Sequence, residues 1–529
     1  MVLRQGASVY RARGRPQRLP VDPSPATSRT IDAQRRTAWL LATCRSLPPT
    51  GAVPRKQFCA DLRRLGILAD GSRVSRWESG AHPVGPEVIG AYEALTDTLP
   101  GSLMSAYRLL RRMDRPPATI ESPAELGTDE CDAIFERIEA RTATGQDWLR
   151  LAADLSHYDR VYLHPRTWRE VGDRLVCELT RSAGPALVLR YEAAASLMSH
   201  PESRRHLARS VGRFVMHPDA QNVAPALWLL REVGDEATDL VLRLIGSPKP
   251  VLRQAAGSVA ALLATRGDLA HRDPDLLERY VVTELRRRGS LARSVDAVDL
   301  ATQLPNETFD RIIDKVDNRH VRRHVLRARE SLELTDDNTA RIIAEGIGSY
   351  AEAHVRRGAP EPDRMLRVLV REALFHAHKE RRELAGVLLA CSPYGEYVKQ
   401  AVLGLTDEPE PLVSGQAWSM LRRMGHLAPR TELADKALGA PAETTRAQAL
   451  VTLGVGHGPV DDAHVTELLR LAGSRGFRTR HGALFALGME HHHLDRFVAE
   501  EGERGRAARW WRSVGPALHE EHPTQRRSA

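Results

Sequence analysis

Lysine is almost missing from this chain: six residues, against 70 arginines. A GC-rich coding sequence produces that bias, so it assigns no function by itself. None of the six lysines follows a glycine, so the GxxxxGK[ST] phosphate loop is absent and a P-loop ATPase is excluded. HExxH and GxSxG are also missing, and no GxGxxG falls between a strand and a helix. The five cysteines, at positions 44, 59, 131, 177 and 391, form no CxxC pair. They read as thiols of a reducing cytoplasm, not as a disulfide framework or a zinc knuckle. Aromatics are only 5% of the residues, which disfavours a β-sandwich. No apolar run reaches the ~18 residues of a membrane span, and the first twenty residues carry no hydrophobic leader.

What is present is a long chain, 529 residues, 42% apolar and 27% charged. That is too long for one compact core and too apolar for general disorder. Alanine, leucine and arginine dominate, which favours helices. The net charge of +8 is unevenly spread. Residues 1–120 hold 19 Lys+Arg and 9 Asp+Glu, a net of +10, and the remainder is slightly negative. A basic head on a near-neutral body is the pattern of a nucleic-acid binder.

Four segments follow in order. Residues 1–29, rich in Arg, Pro and Ser, are expected to be a disordered basic arm, either a phosphate contact or an extension from a misassigned start. Residues 30–116 are expected to form five short helices, punctuated by Pro48-Pro49, Pro54, Gly80, Pro86 and Pro100. Residues 117–128 read as a linker. Residues 129–529 alternate helices of 10–16 residues with short loops. The segments from Val251, Ser414, Thr445 and Thr479 look alike, each with small residues on an apolar face. The last three start 31 and 34 residues apart, a spacing typical of paired-helix repeats. The fold class is therefore all-α: an N-terminal five-helix domain, then an α-solenoid-like, HEAT-like array.

The most specific stretch is Asp70-Gly-Ser-Arg-Val-Ser-Arg-Trp-Glu-Ser-Gly80. On a helix at 100° per residue, Val74 and Trp77 point to one side. Ser72, Ser75, Arg76 and Ser79 point to the other. Gly80 suits the left-handed residue that ends such a helix. One buried stripe and one face of hydroxyls and arginine suit a DNA major groove.

These residues resemble the Xre/Cro-type helix-turn-helix family. Phe58-Cys59-Ala60-Asp61-Leu62 corresponds to its supporting helix and Val74-Ser75-Arg76-Trp77-Glu78-Ser79-Gly80 to its recognition helix. The resemblance covers about residues 31–105 and implies DNA contacts from Arg55, Lys56, Ser72, Arg73, Ser75 and Arg76. It also implies a pairing of Glu78 with Arg45. One departure is the connection between the two central helices, Arg63 to Asp70, which is longer than the family's turn and offers Arg63 and Arg64 as further phosphate contacts. The helical remainder is similar to the long C-terminal regions of such regulators in high-GC Gram-positive bacteria.

Function is expected to follow: a cytoplasmic, nucleoid-associated transcriptional regulator without enzymatic activity or cofactor. Its partner would be double-stranded promoter or operator DNA, and its body would dimerise or receive a protein or small-molecule effector. The alternative is a non-enzymatic adaptor whose solenoid binds a protein; a defence or plasmid-maintenance role is a third option. His491-His492-His493, and His376 with His378, are expected to be ordinary side chains, not metal ligands. Trp510-Trp511 reads as packing at the last helix in preference to a partner anchor.

Overall fold

A computed structural model describes residues 18–519, apart from 26–27, 29, 49–52, 97, 115–125, 159, 233–234, 266, 268, 270–271, 289–293, 357–360 and 491–493. Most of the linker expected at 117–128 and the triple histidine lie outside the described residues. Among those described there are 27 α-helices and no strand, only three isolated bridges. The chain is all-α, a five-helix head followed by a helical array.

The head comprises α1 (Ala33–Ser46), α2 (Arg55–Arg64), α3 (Gly71–Ser79), α4 (Pro86–Leu95) and α5 (Ser102–Asp114). The first half of the array holds α6 (Thr128–Glu139), α7 (Gly145–Leu155), α8 (Pro165–Arg181), α9 (Pro185–Ser199), α10 (Pro201–Met216) and α11 (Ala224–Trp228). It continues with α12 (Asp235–Ile245), α13 (Pro250–Thr265), α14 (Pro274–Arg288), α15 (Val295–Gln303), α16 (Asn306–Lys315) and α17 (Arg319–Ser331). The second half begins with α18 (Asp337–Val355), α19 (Arg364–Phe375), α20 (Lys379–Cys391), α21 (Gly395–Gly404) and α22 (Pro411–Met424). It ends with α23 (Arg430–Gly439), α24 (Glu443–Val455), α25 (Asp462–Leu471), α26 (Phe477–Glu490) and α27 (Glu503–Val514).

Local chemistry sets many of these boundaries. Asp32, Asp70, Asp336, Asp363 and Asp461 each accept a backbone N–H in the first turn of their helix. Thr144 and Asp147 form a reciprocal capping box. Proline opens several other helices, including α4, α8, α9, α10 and α22.

The alike segments seen in the sequence are α13, α22, α24 and α26. The last three begin 32 and 34 residues apart and stack in succession. Their small residues allow the helices to approach. A Cβ on Gly454 would sit 2.7 Å from the Phe485 ring, and one on Gly488 would sit 2.2 Å from Trp511. Trp511 is fully buried and packs edge-on to Phe485 at 5.5 Å, so the tryptophan pair seals α27 onto α26.

Two features go beyond a linear solenoid, in which each repeat touches only its neighbours. The end of the described chain returns to α8. Ala183 N–H donates to the Leu518 carbonyl at 2.9 Å, and Leu518 N–H donates to the Arg181 carbonyl at 2.9 Å. Trp510 packs edge-on to Phe214 of α10 at 5.8 Å. The head also shares one continuous core with the second half of the array. Trp39 of α1 stacks with Tyr394 at 6.2 Å and donates Nε1–H to Asp363 Oδ2 at 2.9 Å. The α5 helix lies between the halves, with Arg112 paired bidentately to Glu192 at 2.8 Å and to Glu232 at 2.7 Å.

The described part of the N-terminal arm is fixed in place, contrary to the expectation of disorder. Asp22 is buried and accepts Arg36 Nε–H at 2.6 Å. Arg36 also makes two 2.7 Å bonds to Glu372, which Arg381 reaches at 2.5 Å. Composition signalled disorder because the residue that orders this segment, Arg36, lies on the next helix and draws its other partner from far along the chain.

Candidate nucleic-acid interface

The α3 helix has a locked inner face and an open outer one. Asp70 caps it by accepting Arg73 N–H at 2.7 Å, and Gly80, at φ 71°, ends it in the left-handed conformation. Val74, Trp77 and Glu78 point inward and are buried. Glu78 ties the inner face to three other helices. Arg45 of α1 engages both of its oxygens, Nε–H on Oε1 and Nη2–H on Oε2 at 2.7 Å. Tyr92 of α4 donates its hydroxyl to Oε1 at 3.1 Å, and Arg55 Nη2 of α2 lies 3.6 Å from Oε2. Burial, reinforced by the Glu78 carboxylate, pushes the Tyr92 hydroxyl well above the ordinary phenol range, so it donates at any physiological pH.

The first helix holds the end of α3. Gln34 Nε2–H donates to the Gly80 carbonyl at 2.7 Å, and Arg35 Nη1–H donates to the Ser79 carbonyl at 3.0 Å. These are two carbonyls the helix leaves unpaired. The supporting helix α2 packs through Phe58, Cys59 and Leu62, with Phe58 edge-on to Tyr92 at 4.7 Å.

The six side chains expected at the interface sit on the start of α2 and the outer side of α3, but they are not equivalent. Lys56 and Arg76 are exposed and make no ion pair or side-chain hydrogen bond among the described residues. Ser72 is exposed and Ser75 half-buried on the same side. Arg55 is half-buried and turned toward Glu78. Arg73 is exposed but folded back: its Nη1–H donates to the Leu68 carbonyl at 2.9 Å, and its guanidinium lies 5.3 Å from the centre of the Trp77 ring. A helical wheel gives the side a residue leaves from, not where a long side chain ends. Arg63, offered as an additional phosphate contact, donates instead to the Ala69 carbonyl at 3.1 Å. The neighbouring acids are already engaged: Asp61 accepts from Arg64 at 2.7 Å and from Gln57 at 3.0 Å, and Asp70 caps the helix. Sequence reasoning missed Gln34 and Arg35, whose polar types at the start of α1 gave no sign of where they reach.

Elsewhere, His376 and His378 are buried and pack edge-on at 5.2 Å. Burial and neighbouring arginines hold His376 well below the usual imidazole range. Among the described residues no three His, Cys, Asp or Glu side chains gather as a metal-binding set. No described helix is long and apolar enough to cross a membrane. All five cysteines are free thiols, with Cys44, Cys59 and Cys391 buried.

The chain matches no protein-family model and no curated protein. Among solved structures it is similar to one from a study of tubulin recruitment and assembly by microtubule polymerases with tumor overexpressed gene (TOG) domain arrays. The two are 14% identical with a TM-score of 0.25, over 72% of this chain and all of the other.

Proposed function

We propose that the head binds double-stranded DNA as a helix-turn-helix regulator of the Xre/Cro kind, with the helical array as the scaffold that holds it. The observation that carries this reading is the two-sidedness of α3. Its inner face is fixed by Glu78 to three helices, while Arg76, Ser72 and Ser79 stand open on the other. With α3 in the major groove, Arg76 reaches base edges and the serines take base or phosphate contacts. Lys56, at the start of α2, lies over the backbone. No catalytic step of the protein's own is required. The test is selection of genomic duplex fragments by the full-length protein, followed by sequencing. A shared sequence motif among bound fragments is expected; uniform recovery would reject sequence-specific regulation.

A second reading makes the array itself the working surface, as a non-enzymatic adaptor for a protein. It is supported by the outer side of α18, where Ile342 is 55% and Tyr350 40% exposed, one on each side of Gly346. Substituting Ile342→Asp and Tyr350→Ser separates the readings: DNA selection is untouched if the head is the working part.

A further inference from the structure

The connection between α2 and α3 is longer than a helix-turn-helix needs and is held in shape by the protein's own arginines. Six residues, 65–70, lie between the helices. Gly66, at φ 81°, supplies the left-handed turn that ends α2. Arg63 grips the Ala69 carbonyl from one side and Arg73 grips the Leu68 carbonyl from the other. The clamped turn presents two leucines to solvent: Leu65 is 48% and Leu68 77% exposed. Isolated exposed leucines are common, but a pair displayed by a turn fixed with two charged donors is ordered toward a surface. That surface is anionic. Arg63 and Arg73 bond the turn itself, Lys56, Arg64 and Arg76 lie on the two helices it joins, and the acids Asp61 and Asp70 are already engaged. An acidic groove that also offers apolar groups is the DNA major groove, where the thymine methyl is the apolar feature of the base edges.

We propose that Leu68 is a specificity residue that packs on a thymine methyl beside the segment read by α3, and that Arg73 is its positioning residue and not a base contact. This rests on the DNA-binding reading above. Burying one methyl contributes about 0.8 kcal/mol, or roughly a fourfold change in affinity.

The test uses the full-length protein and the duplex that emerges from selection on random 24-bp DNA. Each thymine in it is replaced singly by deoxyuridine, which removes only the methyl. One position, at the edge of the motif, is expected to weaken wild-type binding about fourfold and to leave Leu68→Ala binding unchanged. Arg73→Ala is expected to lose the same discrimination while keeping the preference read by Arg76; Arg73→Lys, retaining one donor, restores part of it. If deoxyuridine is tolerated everywhere while binding and motif persist, the leucine inference fails and the DNA reading stands. If no duplex is enriched, both fail. If Leu68→Ala lowers the mass in light scattering and leaves deoxyuridine sensitivity intact, the leucines are a contact between copies and the inference is wrong.

Discussion

Replacing Arg36 with methionine probes the join between head and array. Its guanidinium is 1% exposed and makes three bonds, one to Asp22 and two to Glu372. Methionine keeps much of the volume and removes the charge, which strands two carboxylates. Breaking one side of a buried pair typically costs about 3–5 kcal/mol, because the remaining charge keeps its desolvation penalty. Relief here is partial: Glu372 retains Arg381 at 2.5 Å, and Asp22 retains the Ser24 N–H at 2.8 Å. The lower end, about 3 kcal/mol, is therefore expected. Burial raises both carboxyls, but Arg36 outweighs it, with Arg381 at Glu372, and holds them below their ordinary values. Groups lowered in the folded state add stability above their unfolded pKa and lose it as pH falls through the folded one. Wild type should thus weaken on acidification below about pH 4, and Arg36→Met should show a shallower acid limb. Adding Asp22→Asn should recover part of the loss, since it removes the stranded charge and keeps an oxygen for Ser24. The assay is urea unfolding by circular dichroism and tryptophan fluorescence, with coincidence of the two checked first. A loss under 1 kcal/mol, or no recovery with Asp22→Asn, would refute the reasoning.

Other outcomes follow from the packing. Gly488→Ala places a methyl against Trp511 and should cost about 1–3 kcal/mol or more in thermal unfolding; adding Trp511→Leu should make the pair less than additive. His426 lies where the two halves meet, under Gly184, and burial pushes its imidazole from near 6.5 down to about 4. It binds fewer protons folded than unfolded between those values, so stability should fall as pH drops from 6.5 toward 4, with a smaller slope in His426→Asn. Removing residues 503–529 should expose α8 to protease, because the end of the described chain pairs with Arg181 and Ala183.

Punctuation residues made the head legible in sequence. Asp70 and Gly80 bound α3 as the sequence reading placed them, and Val74 and Trp77 face inward because helical periodicity decides which side is buried. The Arg45–Glu78 pair, implied by family resemblance, is formed. The repeat spacing matched α22, α24 and α26 because their small residues recur where helices touch. Long-range partners were not legible. Trp39 meets Asp363 and Arg36 meets Glu372 across more than 300 residues of chain, and no local pattern encodes such a pairing. The return of Leu518 to Arg181 is hidden for the same reason. Arg73 came in as a DNA contact only through the family resemblance; the Leu68 carbonyl and the Trp77 ring, which determine where its guanidinium rests, are not visible in that resemblance.

The most direct test compares wild type, Arg76→Ala and Lys56→Ala, all full length, on the selected duplex and on a scrambled one, by fluorescence anisotropy across a salt series. Arg76 is expected to contribute about 1–3 kcal/mol on the selected duplex alone, whereas Lys56→Ala weakens both duplexes alike and lowers the salt slope by about one. Equal losses from Arg76→Ala on both duplexes, or none in a folded variant, would contradict the placement of α3 in the groove.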